Sequence, residues 1–440
     1  MSPERRKSRL GVGGNSMLSG VTQRRHRPDY QIILYIGLLM LLGLIIMYAI
    51  GPQRANVMNS SLGTSFYTGT YFVIKQTASL LVALMAFAFT ATVPFSVIKK
   101  YGDKMLIIGF AACALLFLAG NVLNISSIVQ CSLGACRWFE LGPLGGFQPA
   151  ELLKFAMAVY LAGFLGVRMR QNAISDVNKT LVPVGILTGL ALLFTIVLQK
   201  DMGTGIALMS IIISMFIVGG IDKKLGLKIA GILLLAGVLL IAIAPHRLER
   251  VATFIQGDSI SSGVSDDNSY HIEHAKIAIG TGGIFGVGIG NSVQATGYLP
   301  EAINDSVFAI MGETFGFIGL VIILTIFTAL LLRILKISDH LADPSMQLFV
   351  AGVFGWLGSH VILNVASMIG VFPLTGITLP LLSFGGTSMI FISAALGIVF
   401  QLSRYTSHEP HIKEAQYENI GSRRGVGRTR HTSRRSTTGN

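Results

Sequence analysis

The segment YLPEAINDSVFAIMGETFGFIGLVIILTIFTALLLRILK, Tyr298–Lys336, sets Glu301, Asp305 and Glu313 at the edge of, and inside, a run that is otherwise soluble in lipid. Between Ser306 and Ile334 the ionisable side chains are Glu313 and Arg333 alone. At about 1.5 Å per residue, a helix of that length more than covers the roughly 30 Å hydrocarbon core of a bilayer. Comparable runs recur along most of the 440 residues, which are 52% hydrophobic and 12% charged. A soluble globular domain carries about 25% charged residues, so the composition is that of an integral membrane protein. Barrel strands would be shorter and would alternate in polarity, which leaves an all-α polytopic bundle.

Ten transmembrane helices are expected, at 30–50, 71–93, 105–125, 149–167, 181–199, 203–220, 226–244, 306–334, 348–370 and 386–403. An even number puts both termini on one side. The connections at 93–104, 168–180, 221–228 and 333–346 are rich in Lys and Arg, whereas the opposite short loops offer little beyond Arg54, Arg137 and Lys200. Basic loops stay inside, so both termini are expected to be cytoplasmic, with a large extracytoplasmic loop, 245–305, between helices seven and eight. The chain then divides into a basic tail (1–29), a ten-helix membrane domain (30–404) and a second basic tail (405–440). The tails hold seven Lys and Arg against two acids, and seven against three. Such Arg-rich, Ser/Thr/Gly-rich ends cannot bury a core and are expected to be disordered. Their expected partner is anionic membrane lipid, at about 1 kcal/mol per basic residue, and not nucleic acid.

No cleavable leader is expected, because the first apolar run is span-length and no small-residue cleavage pattern follows it. Cys113 falls mid-span. Cys131 and Cys136 share an outward loop, where they either pair in an oxidising compartment or stay as two free thiols.

Polar residues gather at the outer ends of the spans. The 245–305 connection shows no obvious strand or helix pattern, as functional or disordered loops do. Its glycines, Gly280, Gly282, Gly283, Gly286, Gly288 and Gly290, lack GxGxxG spacing and follow no strand. They read as points where backbone passes close to backbone or ligand, and not as a nucleotide loop. In CRWFELGPLGGFQPAELLKFAMAVY, Cys136–Tyr160, Glu151 and Lys154 stand three apart on one helix face just inside the outer boundary, as an ion pair or as site groups. In LQKDMGTGIA, Leu198–Ala207, Asp201 is either a helix N-cap or a site group. Lys75, beside Gln76 at the start of the second span, is either a site cation or a snorkelling side chain. VFPLTGITLPLLSFGGTSM, Val371–Met389, carries Pro373, Pro380, Gly385 and Gly386 against continuous helix and reads as a re-entrant or broken element lining a cavity.

Taken in order, RWFELGPLGGFQPAELLK, QKDMGTG, AIGTGGIFGVGIGN, YLPEAINDSVFAIMGE and PLTGITLPLLSFGGTS resemble the motifs of the SEDS family (shape, elongation, division and sporulation), the FtsW/RodA polymerases of bacterial peptidoglycan. The likeness covers about residues 30–404, and GVGIGN, MGE and the long tails lean toward the FtsW-like branch. It implies a glycosyltransferase in the bacterial cytoplasmic membrane that polymerises lipid II into glycan strands on the outer face, at the division septum. It also implies a class B penicillin-binding protein as crosslinking partner, other divisome membrane proteins, and no organic cofactor. The family motif runs LPEAHTDFIF, with an Asp essential for polymerisation; the matching residue is Asp305. Ile303, Asn304, Ser306 and Val307 depart from that motif, Lys200 and Met202 depart from QPDLGT, and Thr314 replaces a second Glu after Glu313.

Transfer of a glycan from a polyprenyl diphosphate to a sugar hydroxyl needs the acceptor proton removed, whereas the diphosphate leaves readily once its charge is neutralised. One carboxylate base is enough, where a glycosidase needs two carboxyl groups. Asp305 is the expected base, with a helix N-cap as its competing reading. Arg137, Lys154 and Lys75 are expected substrate-binding cations, with Glu151, Asp201 and Ser383 completing the binding residues and a divalent cation, Mg²⁺ or Mn²⁺, able to join through carboxylates. Glu313, about 12 Å deeper, is expected to pair with a polar group of another span. Phe308, Phe315 and Phe317 are expected along a groove for the lipid tail. Two rival classes are a lipid II flippase or transporter and a non-catalytic scaffold for a transpeptidase.

Overall fold

In the computed structural model, residues 27–125, 127–132, 135–140, 142, 145–229, 231 and 267–406 are described. In chain order they form α1 (Tyr30–Leu62), α2 (Tyr71–Thr92), α3 (Phe95–Lys100), α4 (Gly102–Phe117), β1 (Val129–Ser132), β2 (Ala135–Glu140), β3 (Gly146–Phe147), α5 (Pro149–Arg170), α6 (Val182–Leu192), α7 (Met202–Val218), α8 (Asp267–Gly282), α9 (Val307–His340), α10 (Pro344–Met368) and α11 (Gly386–Leu402). Among the described residues, eight helices are long and apolar enough to cross a bilayer, α4 and α6 counted with the wider turns that extend them, and α7 is a shorter apolar helix. These elements fall on the first six and last three expected spans. The seventh, 226–244, lies outside the described residues beyond position 231, as do the tails apart from 27–29 and 405–406.

In lipid, each span satisfies its backbone internally, so the sensitive points are the ends. Aspartates serve four of them: Asp29 accepts from Gln31 N, Asp176 from Lys179 N, Asp201 from Thr204 N, and Asp343 from Ser345 N and Met346 N. Asp29 N donates to Ser403 Oγ (2.9 Å) and its carboxylate pairs with Arg333, which brings the start of α1, the end of α11 and late α9 to one face. Arg170 pairs with Asp343 there as well, at 2.6 Å. From Arg333 to Gly316, α9 rises about 26 Å at about 1.5 Å per residue, close to the roughly 30 Å of a hydrocarbon core.

Three expectations need correction. Span one ends at 50 by hydropathy, but α1 continues to Leu62 with Pro52 inside it; hydropathy marks where lipid ends, not where the helix does. The chain is not all helical, because β1, β2 and β3 form an antiparallel sheet between α4 and α5. Strands this short alternate too little to be legible. Cys131 faces Cys136 across β1 and β2, and the two form a disulfide. The 245–305 connection also contains helix, α8, whose inward stripe is Ala and Gly and so contributes little hydropathy.

The glycine run solves a backbone problem. At Gly316 (φ 69, ψ −170) α9 breaks, which deprives the N–H groups of 317 and 318 and the carbonyls of 313 and 314 of each other. All four find partners in the run: Val287 N donates to Glu313 O (2.9 Å), Gly288 N to Thr314 O (3.1 Å), Phe317 N to Gly283 O (2.8 Å) and Ile318 N to Ile284 O (3.2 Å). Unpaired groups near lipid cost several kcal/mol each, so helix break and loop are mutually required. A Cβ on Gly286 (φ 82) would collide with the Thr314 carbonyl, and none of those atoms can step aside. Gly286→Ala is therefore expected to lower stability by more than about 3 kcal/mol. Gly280→Ala, in open space on α8, should be neutral or stabilising by about 0.5–1 kcal/mol; thermal unfolding of the two purified variants checks the contrast.

Candidate active site

Residues 298–306 fold as a tight turn ahead of α9. Asn304 N (2.9 Å) and Ser306 N (3.2 Å) donate to Glu301 O, Glu301 itself sits at φ 48, and the Ala302 and Ile303 side chains are buried. Phe384 N donates to Ile303 O (2.8 Å), tying the turn to the segment before α11. Asp305 follows, half-buried. Its carbonyl accepts from Asn364 Nδ2 (2.7 Å), which also donates to Ile377 O (2.7 Å). A Cβ at Gly376 would lie 4.0 Å from Asp305 Oδ2. The carboxylate therefore stands beside the non-helical stretch 371–385. The N-cap position of α9 is Ser306, whose side chain makes no capping bond.

The same stretch gathers two of the other motifs. Gly203, in the first turn of α7, is pressed against Ile377, whose side chain a Cβ there would strike. Asp201 spends both oxygens at hand, accepting from Thr204 N (2.9 Å), Thr204 Oγ1 (2.8 Å) and Gln148 Nε2 (3.1 Å). This is the geometry of a cap that also fastens the start of α5. Arg137 donates from Nε to Gln199 O (3.2 Å) and from Nη2 to Lys200 O (2.7 Å), so two of its five donors hold the turn before Asp201.

Beneath lies a buried polar cluster. Lys154, 1% exposed, pairs with Glu151 at 2.8 Å and lies 3.2 Å from His360 Nε2. Trp356 Nε1 also reaches that nitrogen, at 3.2 Å, and His360 Nδ1 is 3.3 Å from Thr378 O. With two donors on Nε2, the proton belongs on Nδ1 and the ring is neutral. Trp356, His360 and Asn364 stand four apart, one stripe of α10 facing 377–378. Sequence reading passed over all three; the signal was the polar spacing in WLGSHVILN, Trp356–Asn364, inside a span.

Other expected residues stand apart or are already engaged. Ser383 Oγ accepts from Leu379 N (2.8 Å) and closes a turn of the same stretch, beside a small cavity lined by Thr378, Gly385 and Ser388. Lys75 is exposed on α2, its ammonium 5.3 Å from the Tyr71 ring centre. Glu313 is fully buried, but its partners are Ser292 Oγ (2.5 Å), Val293 N (2.9 Å) and Gln294 N (3.3 Å) of the loop, not another span. The three aromatics do not line one groove, since Phe308 is 2% exposed and Phe317 65%. Among the described residues, no three His, Cys, Asp or Glu side chains gather to hold a metal. Mg²⁺ can be held by one carboxylate and substrate phosphates without such a cage, and no step below depends on it.

Fold and site together define a polytopic helical membrane protein whose motifs converge on an irregular backbone at one end of the bundle. The profile of the FtsW/RodA/SpoVE family of cell cycle proteins matches residues 30–408. The chain is 31% identical over 375 residues to a probable peptidoglycan glycosyltransferase FtsW of Taylorella equigenitalis (strain MCE9), spanning 83% of this chain and 94% of that one. It is 29% identical over 392 residues to the stage V sporulation protein E of Bacillus subtilis (strain 168), spanning 88% and 100%. Its fold is shared with the Thermus thermophilus rod shape determining protein RodA at a TM-score of 0.60, with 23% identity and coverage of 87% and 98%. A structure described as the coordination of polymerization and crosslinking by a peptidoglycan synthase complex scores 0.65, with 23% identity and coverage of 87% and 99%. The chain belongs to the FtsW/RodA/SpoVE family.

Proposed function

We propose that this chain is a peptidoglycan glycosyltransferase that polymerises lipid II, with Asp305 as its base. The observation that carries the reading is a half-buried aspartate at the motif position, its backbone clamped by Asn364 against the stretch 371–385. There Asp305 takes the proton from the acceptor sugar hydroxyl as that oxygen bonds to the donor's anomeric carbon. The anomeric bond to the diphosphate breaks, and polyprenyl diphosphate leaves with the electron pair. For its charge, Arg137 retains donors beyond the two given to carbonyls, and exposed Lys200 stands beside it. Glu151, Lys154, Asp201 and Ser383 shape the surrounding polar wall, and Lys75 serves at the bilayer edge.

The basic face, where the start of α1 meets the end of α11, supports ten crossings with both termini in the cytoplasm and the loop between helices seven and eight outside. The FtsW-named relatives support a bacterial cytoplasmic membrane location, with use at the septum. The solved synthase complex supports a crosslinking partner, a class B penicillin-binding protein. Vesicles holding the full chain and labelled lipid II test the function. Polymer is the expected product; transfer of lipid II between leaflets without polymer would establish a transporter instead, and stimulation of a transpeptidase alone would establish a scaffold.

A further inference from the structure

On α8, His271, Ala275, Ala278 and Gly282 follow at spacings of four, three and four, which puts them on one stripe. Ala275 and Ala278 are fully buried, and a Cβ on Gly282 would collide with the Gly312 carbonyl, so this stripe lies tight against α9. Small residues allow the close approach. His271, at the head of the stripe, is neither small nor apolar, and packing alone gives it no purpose. Its Nε2 lies 2.5 Å from Ser306 Oγ.

Ser306 is an unusual N-cap. It is fully buried, yet its hydroxyl caps nothing and instead donates to Pro300 O at 2.8 Å. A hydroxyl has one proton, so the bond with His271 must be donated by Nε2–H to the Ser306 lone pair. His271, Ser306 and Pro300 thus form a hydrogen-bonded chain across the base of the turn that holds Asp305. That turn includes the left-handed Glu301, a conformation that costs about 1–2 kcal/mol and persists only where neighbours enforce it. Asn364 fixes the Asp305 carbonyl from the opposite side.

We infer that His271 is a positioning residue that holds Asp305 in its working orientation through Ser306. The inference rests on the reading of Asp305 as the base. His271→Ala should lower kcat for lipid II polymerisation about tenfold while KM stays within about twofold, because the defect is in alignment and not in substrate affinity. His271→Gln, which can place an N–H donor at the same point, should restore kcat to within about twofold of the parent. Ser306→Ala should lower kcat at least as much as His271→Ala, and the double variant should be no slower than Ser306→Ala alone, since the His271 bond acts only through that hydroxyl. Multiplying losses, an inactive His271→Gln, or a defect confined to KM would each overturn the inference. If the parent chain makes no polymer, the functional reading fails first. The positioning claim is then decided by hydrogen exchange of the 301–306 amides, whose protection His271→Ala must reduce and His271→Gln must not.

Discussion

Replacing Asp305 with Asn should cut polymerisation by about 10²- to 10⁴-fold, the usual contribution of a positioned base. Asn keeps the shape and size of Asp but cannot accept the acceptor's proton. Asn364 holds the backbone carbonyl of residue 305, which the substitution leaves in place. Thermal stability should stay within about 1 kcal/mol and KM should change little, so the loss belongs to kcat. Asp305→Glu retains a base but carries it one methylene further, toward the backbone at Gly376, and should keep a fraction of the rate. A steady-state polymerisation assay with matched unfolding curves checks all three expectations; a slow but unfolded Asp305→Asn would mean that the residue is structural.

The largest effect on stability is expected at Lys154. Its ammonium is the one cation that meets Glu151 among the described residues, at 2.8 Å, and Glu151 Oε2 has no hydrogen-bond partner there. Glu151 is 4% exposed, so removing the ammonium would strand an anion away from water. Breaking one side of such a buried pair costs about 3–5 kcal/mol, whereas replacing both sides is often nearly neutral. Lys154→Met should therefore unfold at much lower temperature than the parent, and Glu151→Gln with Lys154→Met should recover most of the loss. His360 is the sensitive neighbour, because its Nε2 would keep only the Trp356 donor. A Lys154→Met protein as stable as the parent would show that Glu151 is not an anion held by Lys154.

Much of this arrangement is legible in the sequence, for identifiable reasons. Membrane spans announce themselves because lipid demands long apolar runs, and nine of the ten expected positions coincide with helices. The proposal for Asp305 comes from its motif, not from physics alone, since Asn304, Asp305 and Ser306 all favour caps. The rest is hidden where burial is achieved without hydropathy. α8 packs through alanine and glycine, the sheet is built from strands too short to alternate, and α1 outruns the lipid it crosses. The glycine run is half legible: its role in close backbone approach can be read, but the break at Gly316 that it serves is a property of tertiary pairing. Arg137 and Asp201 illustrate the same limit. Their chemistry suits phosphate and metal, yet the geometry shows them fastening a turn, because a buried backbone carbonyl or N–H is as demanding a partner as any ligand.

The central claim is that a single carboxylate works from the outer edge of the bilayer. Asp305→Cys tests it most directly, because Cys131 and Cys136 are joined and Cys113 is buried, which leaves one accessible thiol among the described residues. In intact spheroplasts, a membrane-impermeant maleimide should label residue 305 from outside, and lipid II should slow that labelling. Labelling that appears only after the membrane is permeabilised, or that lipid II leaves unchanged, would contradict the account.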